Sequence, residues 1–109
     1  MLSQSSQIDN GYLVTVQGDI DFSKSPQLRQ DLLAVLKNEP ARLVIDLTGV
    51  SYMDSSGVAT LVEALQHQRR TGNKLVLCAL QPRVHSVFKI ARLDTIFTIT
   101  TDSAAALTA

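Results

Sequence analysis

Apolar and polar residues follow one another along the chain in patterns that predict strands and helices in alternation. The run Tyr12-Leu13-Val14-Thr15-Val16 is rich in residues that favour β-structure. Asn10-Gly11 just before it suits a tight hairpin turn with positive backbone angles. Residues 43–47 and 75–80 are almost wholly apolar, which is typical of strands covered by helices on both faces of a sheet. A last short strand is predicted at residues 96–99.

Between these strands, apolar residues recur at spacings of three and four, the period of a helix with one buried face. The first helix begins at Ser25, just before Pro26. The second runs to about Arg70, where Gly72 is placed to end it in a left-handed conformation. A third helix opens at Pro82, and a fourth follows from about residue 102. The predicted buried faces comprise Leu28, Leu32, Val35 and Leu36; Val58, Leu61, Val62 and Leu65; and Val84, Val87, Phe88 and Ala91.

This order of elements predicts an α/β fold. Because strand and helix alternate after an initial hairpin, the sheet should be mixed but mainly parallel, with four to five strands and about four helices. The chain has 109 residues, of which 45% are hydrophobic. Both values suit a single domain spanning residues 1–109.

Charge and cysteine content narrow the possible partners. Ten basic and ten acidic side chains give a net charge of zero, so we expect no direct binding to nucleic acid. The apolar runs are far shorter than the roughly 20 residues of a membrane span, so we expect no membrane insertion. The charges are unevenly spread, with seven acids and four bases in residues 1–54 but three and six in residues 55–109. The one cysteine, Cys78, lies in an apolar strand and cannot form an internal disulfide. The first residues of the sequence are polar and lack the features of a signal peptide. Together with the single cysteine, this favours location of the protein in the reducing cytoplasm.

The stretch from Asp46 to Val58 joins a buried strand to a helix, and ligands of open α/β sheets usually meet the protein at such a junction. Asp54, Ser55 and Ser56 all suit the helix cap position. The structural interpretation is that these residues serve only to begin the helix. The functional interpretation is that one serine is exposed and becomes phosphorylated. A phosphate at the positive end of a helix is favourable by about 0.3–1 kcal/mol, so the fold would survive it. Beside Asp54, the added charge would repel an acidic or closely packed partner.

Three segments, in the same order, resemble one known family. Met53-Asp54-Ser55-Ser56-Gly57-Val58 resembles the signature of STAS domains, in particular the anti-sigma-factor antagonists of bacterial partner-switching systems. Gly18-Asp19-Ile20-Asp21 is similar to the glycine-acid-apolar-aspartate sequence that ends an early strand in that family. The segment 72–78 resembles the one leading into the family's next strand, so the similarity covers nearly the whole chain.

The resemblance implies a STAS-like sheet backed by helices, and a regulator that needs no cofactor and catalyses nothing. It makes Ser55 the phosphorylation site. In such systems the unphosphorylated protein binds an anti-sigma factor, often itself the serine kinase, and thereby releases the sigma factor. A PP2C-type phosphatase resets the switch. The partner-binding residues implied by the match are Asp21, Asp54, Ser55, Ser56 and Gly57.

Two other functions stay open. Asp19, Asp21, Asp46 and Asp54 could together hold Mg²⁺ in an enzyme, but acids near strand ends usually serve as caps and turns. Neither a glycine-rich phosphate loop nor a Gly-x-Ser-x-Gly elbow occurs, so we expect no catalytic residues and no metal site. The other alternative is a STAS scaffold subunit that is never phosphorylated and binds a transporter or a stress-signalling complex. The Ser55-Ser56 pair favours the switch.

Overall fold

The long apolar runs form the centre of a five-stranded sheet. The structure, a computed structural model, describes residues 2–109, and its strands lie in the order β1-β2-β3-β4-β5. β1 is antiparallel to β2, whereas β2, β3, β4 and β5 are parallel to one another. The predicted mixed, mainly parallel sheet is therefore confirmed. The strands are β1 (Ser3–Ile8), β2 (Gly11–Gln17), β3 (Arg42–Gly49), β4 (Lys74–Cys78) and β5 (Thr98–Thr100).

Helices connect the parallel strands, as the alternating pattern predicts. The first begins at Ser25 with Pro26 in its first turn, and the second ends at Arg70. Gly72 has a φ of +74°, which confirms the left-handed turn after the second helix. Within residues 2–109, none of the helices is both long enough and apolar enough to cross a bilayer. The helices are α1 (Ser25–Leu36), α2 (Ser55–Arg70), α3 (Pro82–Ile90) and α4 (Ser103–Ala106), with a 3₁₀ turn at Leu93–Thr95.

The two faces of the sheet are covered unequally. Alternate residues of a strand point to opposite faces, and one set packs with α1, α2 and α3 into the main core. A smaller cluster of Val44, Val76 and Cys78 on the other face packs against Ala106 of α4. Burial, together with nearby Asp46 and Asp102, raises the pKa of the Cys78 thiol to about 11. Because this pKa lies well above 7, the thiol is protonated at neutral pH. The strand residues of the main core are Val14, Val16, Leu43, Ile45, Leu47, Leu75 and Leu77.

The hairpin between β1 and β2 differs from the sequence-based prediction. Neither Asn10 nor Gly11 has a positive φ, so the predicted turn geometry is wrong. The glycine is needed for another reason: a Cβ at Gly11 would lie only 1.7 Å from the carbonyl oxygen of Arg42 in the neighbouring strand. Close approach of two backbones, rather than a special turn, explains Gly11.

The last strand also begins later than predicted. Residues 93–95 form the 3₁₀ turn, and β5 starts only at Thr98. Phe97, predicted to lie inside the strand, is instead buried against Phe88 of α3, with ring centroids 5.4 Å apart in an edge-to-face arrangement. The Phe97 N–H donates to the carbonyl oxygen of Leu93 at 3.0 Å, so it belongs to the preceding turn and the ladder with β4 begins only at Thr98.

We expect Gly11→Ala to lower the free energy of unfolding by about 3 kcal/mol or more, because the added methyl group would overlap backbone that cannot move aside. Gly18→Ala is the matched control, since a Cβ there meets nothing within 4 Å and only its φ of +92° is unfavourable. That control should cost about 1 kcal/mol. Urea unfolding followed by circular dichroism measures both variants. Equal losses would contradict the close approach at Gly11.

Candidate functional site

Two loops meet at the carboxyl edge of the sheet because β2 and β3 run parallel and end side by side. A parallel bridge between Ile20 and Met53 continues the strand pairing into these loops. The N–H of Ile20 donates to the carbonyl oxygen of Tyr52 at 3.0 Å, and the N–H of Asp54 donates to that of Ile20 at 3.0 Å. Ile20 and Met53 are both buried, so the bridge is anchored in the core.

The first turn of α2 rests directly on this bridge. A Cβ at Gly57 would lie 2.6 Å from Cγ of Met53 and 2.8 Å from Cγ2 of Ile20, so the helix can approach this closely only with glycine there. Gly57 is itself buried. The residue predicted to take part in partner binding thus lies beneath the surface, where it sets the position of the residues above it.

Asp54 is the cap of α2. Its Oδ1 accepts hydrogen bonds from the Ser56 N–H at 2.9 Å, the Ser56 hydroxyl at 2.6 Å and the Gly57 N–H at 3.3 Å. These bonds satisfy N–H groups that a helix start leaves free. The Ser56 hydroxyl is the main cause that lowers the pKa of Asp54 below its usual 3.8, and the N–H groups of Gly57, Ser56 and Phe22 lower it further, against partial desolvation. Asp54 therefore carries a negative charge beside Ser55 at neutral pH.

The two serines that follow differ in their surroundings. The Ser56 side chain is half-buried, and its hydroxyl is committed to Asp54. Ser55 is exposed, and its hydroxyl forms no hydrogen bond with any residue in the described part of the chain. The local sequence leaves both serines as candidates for an accessible hydroxyl; of the two side chains, that of Ser55 is the more exposed.

Asp21 holds the neighbouring loop in the same way. Its Oδ1 accepts from the Ser23 N–H at 2.9 Å, the Ser23 hydroxyl at 2.5 Å and the Lys24 N–H at 3.2 Å. The Ser23 hydroxyl is the main cause that lowers the pKa of Asp21. The site thus contains two Asp-x-Ser turns in which the aspartate binds the third residue and leaves the middle residue, Phe22 or Ser55, pointing outwards.

Two aromatic side chains at this edge were missed by the sequence analysis. Phe22 is 78% exposed, and Tyr52 is 41% exposed with the Arg83 guanidinium 5.7 Å from its ring centre. The available signal was an aromatic residue in the polar segment that joins β2 to α1. We use the name Ser55 face for five of the residues that are not buried and lie within two positions of the Ile20–Met53 bridge on the two loops, namely Asp21, Phe22, Tyr52, Asp54 and Ser55.

The other two acids considered as metal ligands accept hydrogen bonds from hydroxyl groups of the protein. Asp19 accepts a hydrogen bond from the Ser51 hydroxyl at 2.6 Å, and Asp46 accepts from the N–H and hydroxyl of Thr48. Among residues 2–109, no group of three or more His, Cys, Asp or Glu side chains is arranged to hold a metal ion. The contacts of Asp46 are those of a local turn, whereas the bond between Asp19 and Ser51 joins the two paired loops.

The cap makes a pH-dependent contribution to stability. Because the folded-state pKa of Asp54 is lowered, its contribution is present above the unfolded pKa and lost as the pH falls through the folded pKa. Asp54→Asn retains a capping oxygen but cannot titrate, whereas Asp54→Ala removes the cap. We expect the melting temperature of wild type to approach that of Asp54→Asn as the pH is lowered below about 4, and Asp54→Ala to melt below both at pH 7. Thermal scans from pH 7 to pH 2 measure this, and a constant difference between wild type and Asp54→Asn would contradict the ionised cap.

The chain is similar in sequence and in overall fold to known proteins. The family model described as the STAS domain matches residues 3–106. The anti-sigma-B factor antagonist of Bacillus subtilis is 35% identical over 97 residues, covering 89% of this chain and 88% of that protein. The anti-sigma-B factor antagonist of Listeria monocytogenes is 37% identical over 86 residues, covering 79% and 75%. An anti-sigma factor antagonist from Mycobacterium paratuberculosis superposes with a TM-score of 0.89 at 27% identity, covering 97% and 90% of the two chains. This chain belongs to the STAS domain family.

Proposed function

We propose that this protein is an anti-sigma factor antagonist whose activity is switched by phosphorylation of Ser55. In the unphosphorylated state it binds an anti-sigma factor that is also a serine kinase, and this binding releases the sigma factor. The kinase transfers a phosphoryl group to Ser55, and a PP2C-type phosphatase removes it. The similarity to antagonists of two bacterial species, over most of both chains, supports the type of partner.

The observation that carries the proposal is the free hydroxyl of Ser55. A kinase needs a hydroxyl that it can reach, and Ser55 is exposed whereas Ser56 is half-buried and bound to Asp54. The bridge beneath and the glycine contact at Gly57 hold Ser55 in a defined position. A partner can therefore recognise this residue on a rigid surface, with little loss of chain entropy on binding.

A phosphate at this position would change binding without unfolding the domain. Ser55 is the first residue of α2, where the free N–H groups and the helix dipole tolerate negative charge. The phosphate would bring about −1.5 to −2 charges beside the ionised Asp54. Burying that group in an interface is costly unless a cation of the partner compensates for it. The domain stays folded while the partner is released.

The choice of serine is tested by incubation with the organism's anti-sigma factor kinase and ATP. We expect wild type and Ser56→Ala to gain the mass of one phosphate and Ser55→Ala to gain none, as measured by intact mass spectrometry. Transfer to Ser55→Ala would show that another residue is the acceptor. Absence of phosphate on all three proteins, with the partner still bound, would favour the scaffold function instead.

The charge effect is tested by titration of the same anti-sigma factor in a calorimeter. We expect Ser55→Ala to bind about as tightly as wild type and Ser55→Asp to bind about tenfold more weakly or worse, because the carboxylate adds charge that the interface must desolvate. Circular dichroism melts control for folding, and both variants should melt within a few degrees of wild type. Tight binding by Ser55→Asp would contradict the electrostatic mechanism.

A further inference from the structure

The aromatic residues of this protein are divided between the core and one edge. The chain has only two tyrosines and three phenylalanines. Phe88 and Phe97 pair in the core, and Tyr12 is half-buried against it. The two exposed aromatics, Phe22 and Tyr52, both lie on the Ser55 face. Exposed aromatic side chains are more typical of binding surfaces than of the rest of a protein's surface.

Phe22 and Ser55 occupy corresponding positions on the two paired loops. Each lies two residues beyond the bridge between Ile20 and Met53. Each is the middle residue of an Asp-x-Ser turn, and the backbone N–H of Phe22 helps to lower the pKa of Asp54. Phe22 and Ser55 therefore lie at equivalent places on neighbouring loops, and we expect a partner that covers the Ser55 hydroxyl to reach the Phe22 ring as well.

The turn presents Phe22 in a fixed backbone conformation. Besides the bonds to its carboxylate, the carbonyl oxygen of Asp21 accepts from the N–H of Lys24 at 3.0 Å and of Ser25 at 2.9 Å. With both sides of the turn held, little backbone entropy remains to be lost on binding, which is the condition under which a large apolar side chain contributes most to affinity. Oδ2 of Asp21 accepts no hydrogen bond from the described residues and is free for a donor of the partner.

We propose that Phe22 is the main apolar anchor of the Ser55 face and inserts into an apolar pocket of the anti-sigma factor kinase. This inference rests on the proposed function and names the partner chemistry of the same site. The pocket is apolar at its base and carries a neutral hydrogen-bond donor at its rim, opposite Asp21. Insertion of Phe22 brings Ser55 against the partner, so a phosphate on Ser55 would be buried together with the ring. The cost of desolvating that phosphate then opposes the same contact that gives affinity.

The test compares Phe22→Ala with Ile90→Ala in calorimetric titrations of the organism's anti-sigma factor kinase. Ile90 is a matched control because it is 85% exposed and apolar but lies at the far end of α3, away from the residues that define the Ser55 face. We expect Phe22→Ala to weaken binding about tenfold or more, Phe22→Leu to fall between it and wild type, and Ile90→Ala to stay within about twofold of wild type. All three changes are at exposed side chains, so thermal melts should coincide with wild type.

The outcomes for Phe22→Ala distinguish failure of the anchor from failure of the proposed function. Loss of affinity in Phe22→Ala alone supports the anchor. Unchanged affinity in Phe22→Ala, with binding of wild type still abolished by phosphorylation, would overturn the anchor and leave the switch in place. Equal losses in Phe22→Ala and Ile90→Ala would also overturn it, since any exposed apolar residue would then matter as much. Failure of wild type to bind the kinase would overturn both.

Discussion

The pairing of two loops by the bridge between Ile20 and Met53 is the constraint on which the rest of the site depends. It extends the parallel pairing of β2 and β3 beyond the sheet, and both side chains are sealed in the core. Gly57 lets α2 rest on this bridge at a distance that no larger residue permits. As a result, the first turn of α2 is positioned by the sheet itself, and Ser55 is presented by a rigid element rather than by a loose loop.

On this support, two aspartates perform the same local task and produce different surfaces. Asp21 and Asp54 each bind the N–H and hydroxyl of a serine two residues later, which leaves the intervening side chain exposed. One turn exposes an aromatic ring and the other a hydroxyl. Under the proposed function, the ring makes an apolar contact that does not change. Phosphorylation of the hydroxyl adds a negative charge, and dephosphorylation removes it. A small and reversible chemical change can then decide whether a large contact forms.

Much of the fold followed from hydrophobic spacing, because periodicity reports which face of an element is buried. The central strand β3 and the end of α2 at Arg70 are examples. Predictions were wrong where contacts outside the local pattern fix the structure. Gly11 is explained by Arg42 in another strand, and Phe97 belongs to the turn before β5, with its N–H on Leu93 and its ring against Phe88. The candidate site likewise has some features that the local sequence predicts and others that depend on tertiary packing. Local chemistry identified the stretch around Ser55, but not which residue caps α2, that Gly57 is buried, or that Phe22 is exposed, since each depends on how the loops pair.

The central claim is that phosphorylation of Ser55 blocks binding through charge on a rigid surface. The most direct test is an NMR titration with the unlabelled anti-sigma factor kinase. The ¹⁵N-labelled protein is prepared in two forms, with serine or with phosphoserine at position 55. For the serine form, shifts on binding should centre on the two paired loops and the start of α2. The phosphoserine form should keep the spectrum of the folded core, change only near residues 20–24 and 52–58, and show no binding shifts. Binding of the phosphoserine form at the same loops, or changes spread through β3 and the core on phosphorylation, would contradict a switch that acts by surface charge on a rigid site.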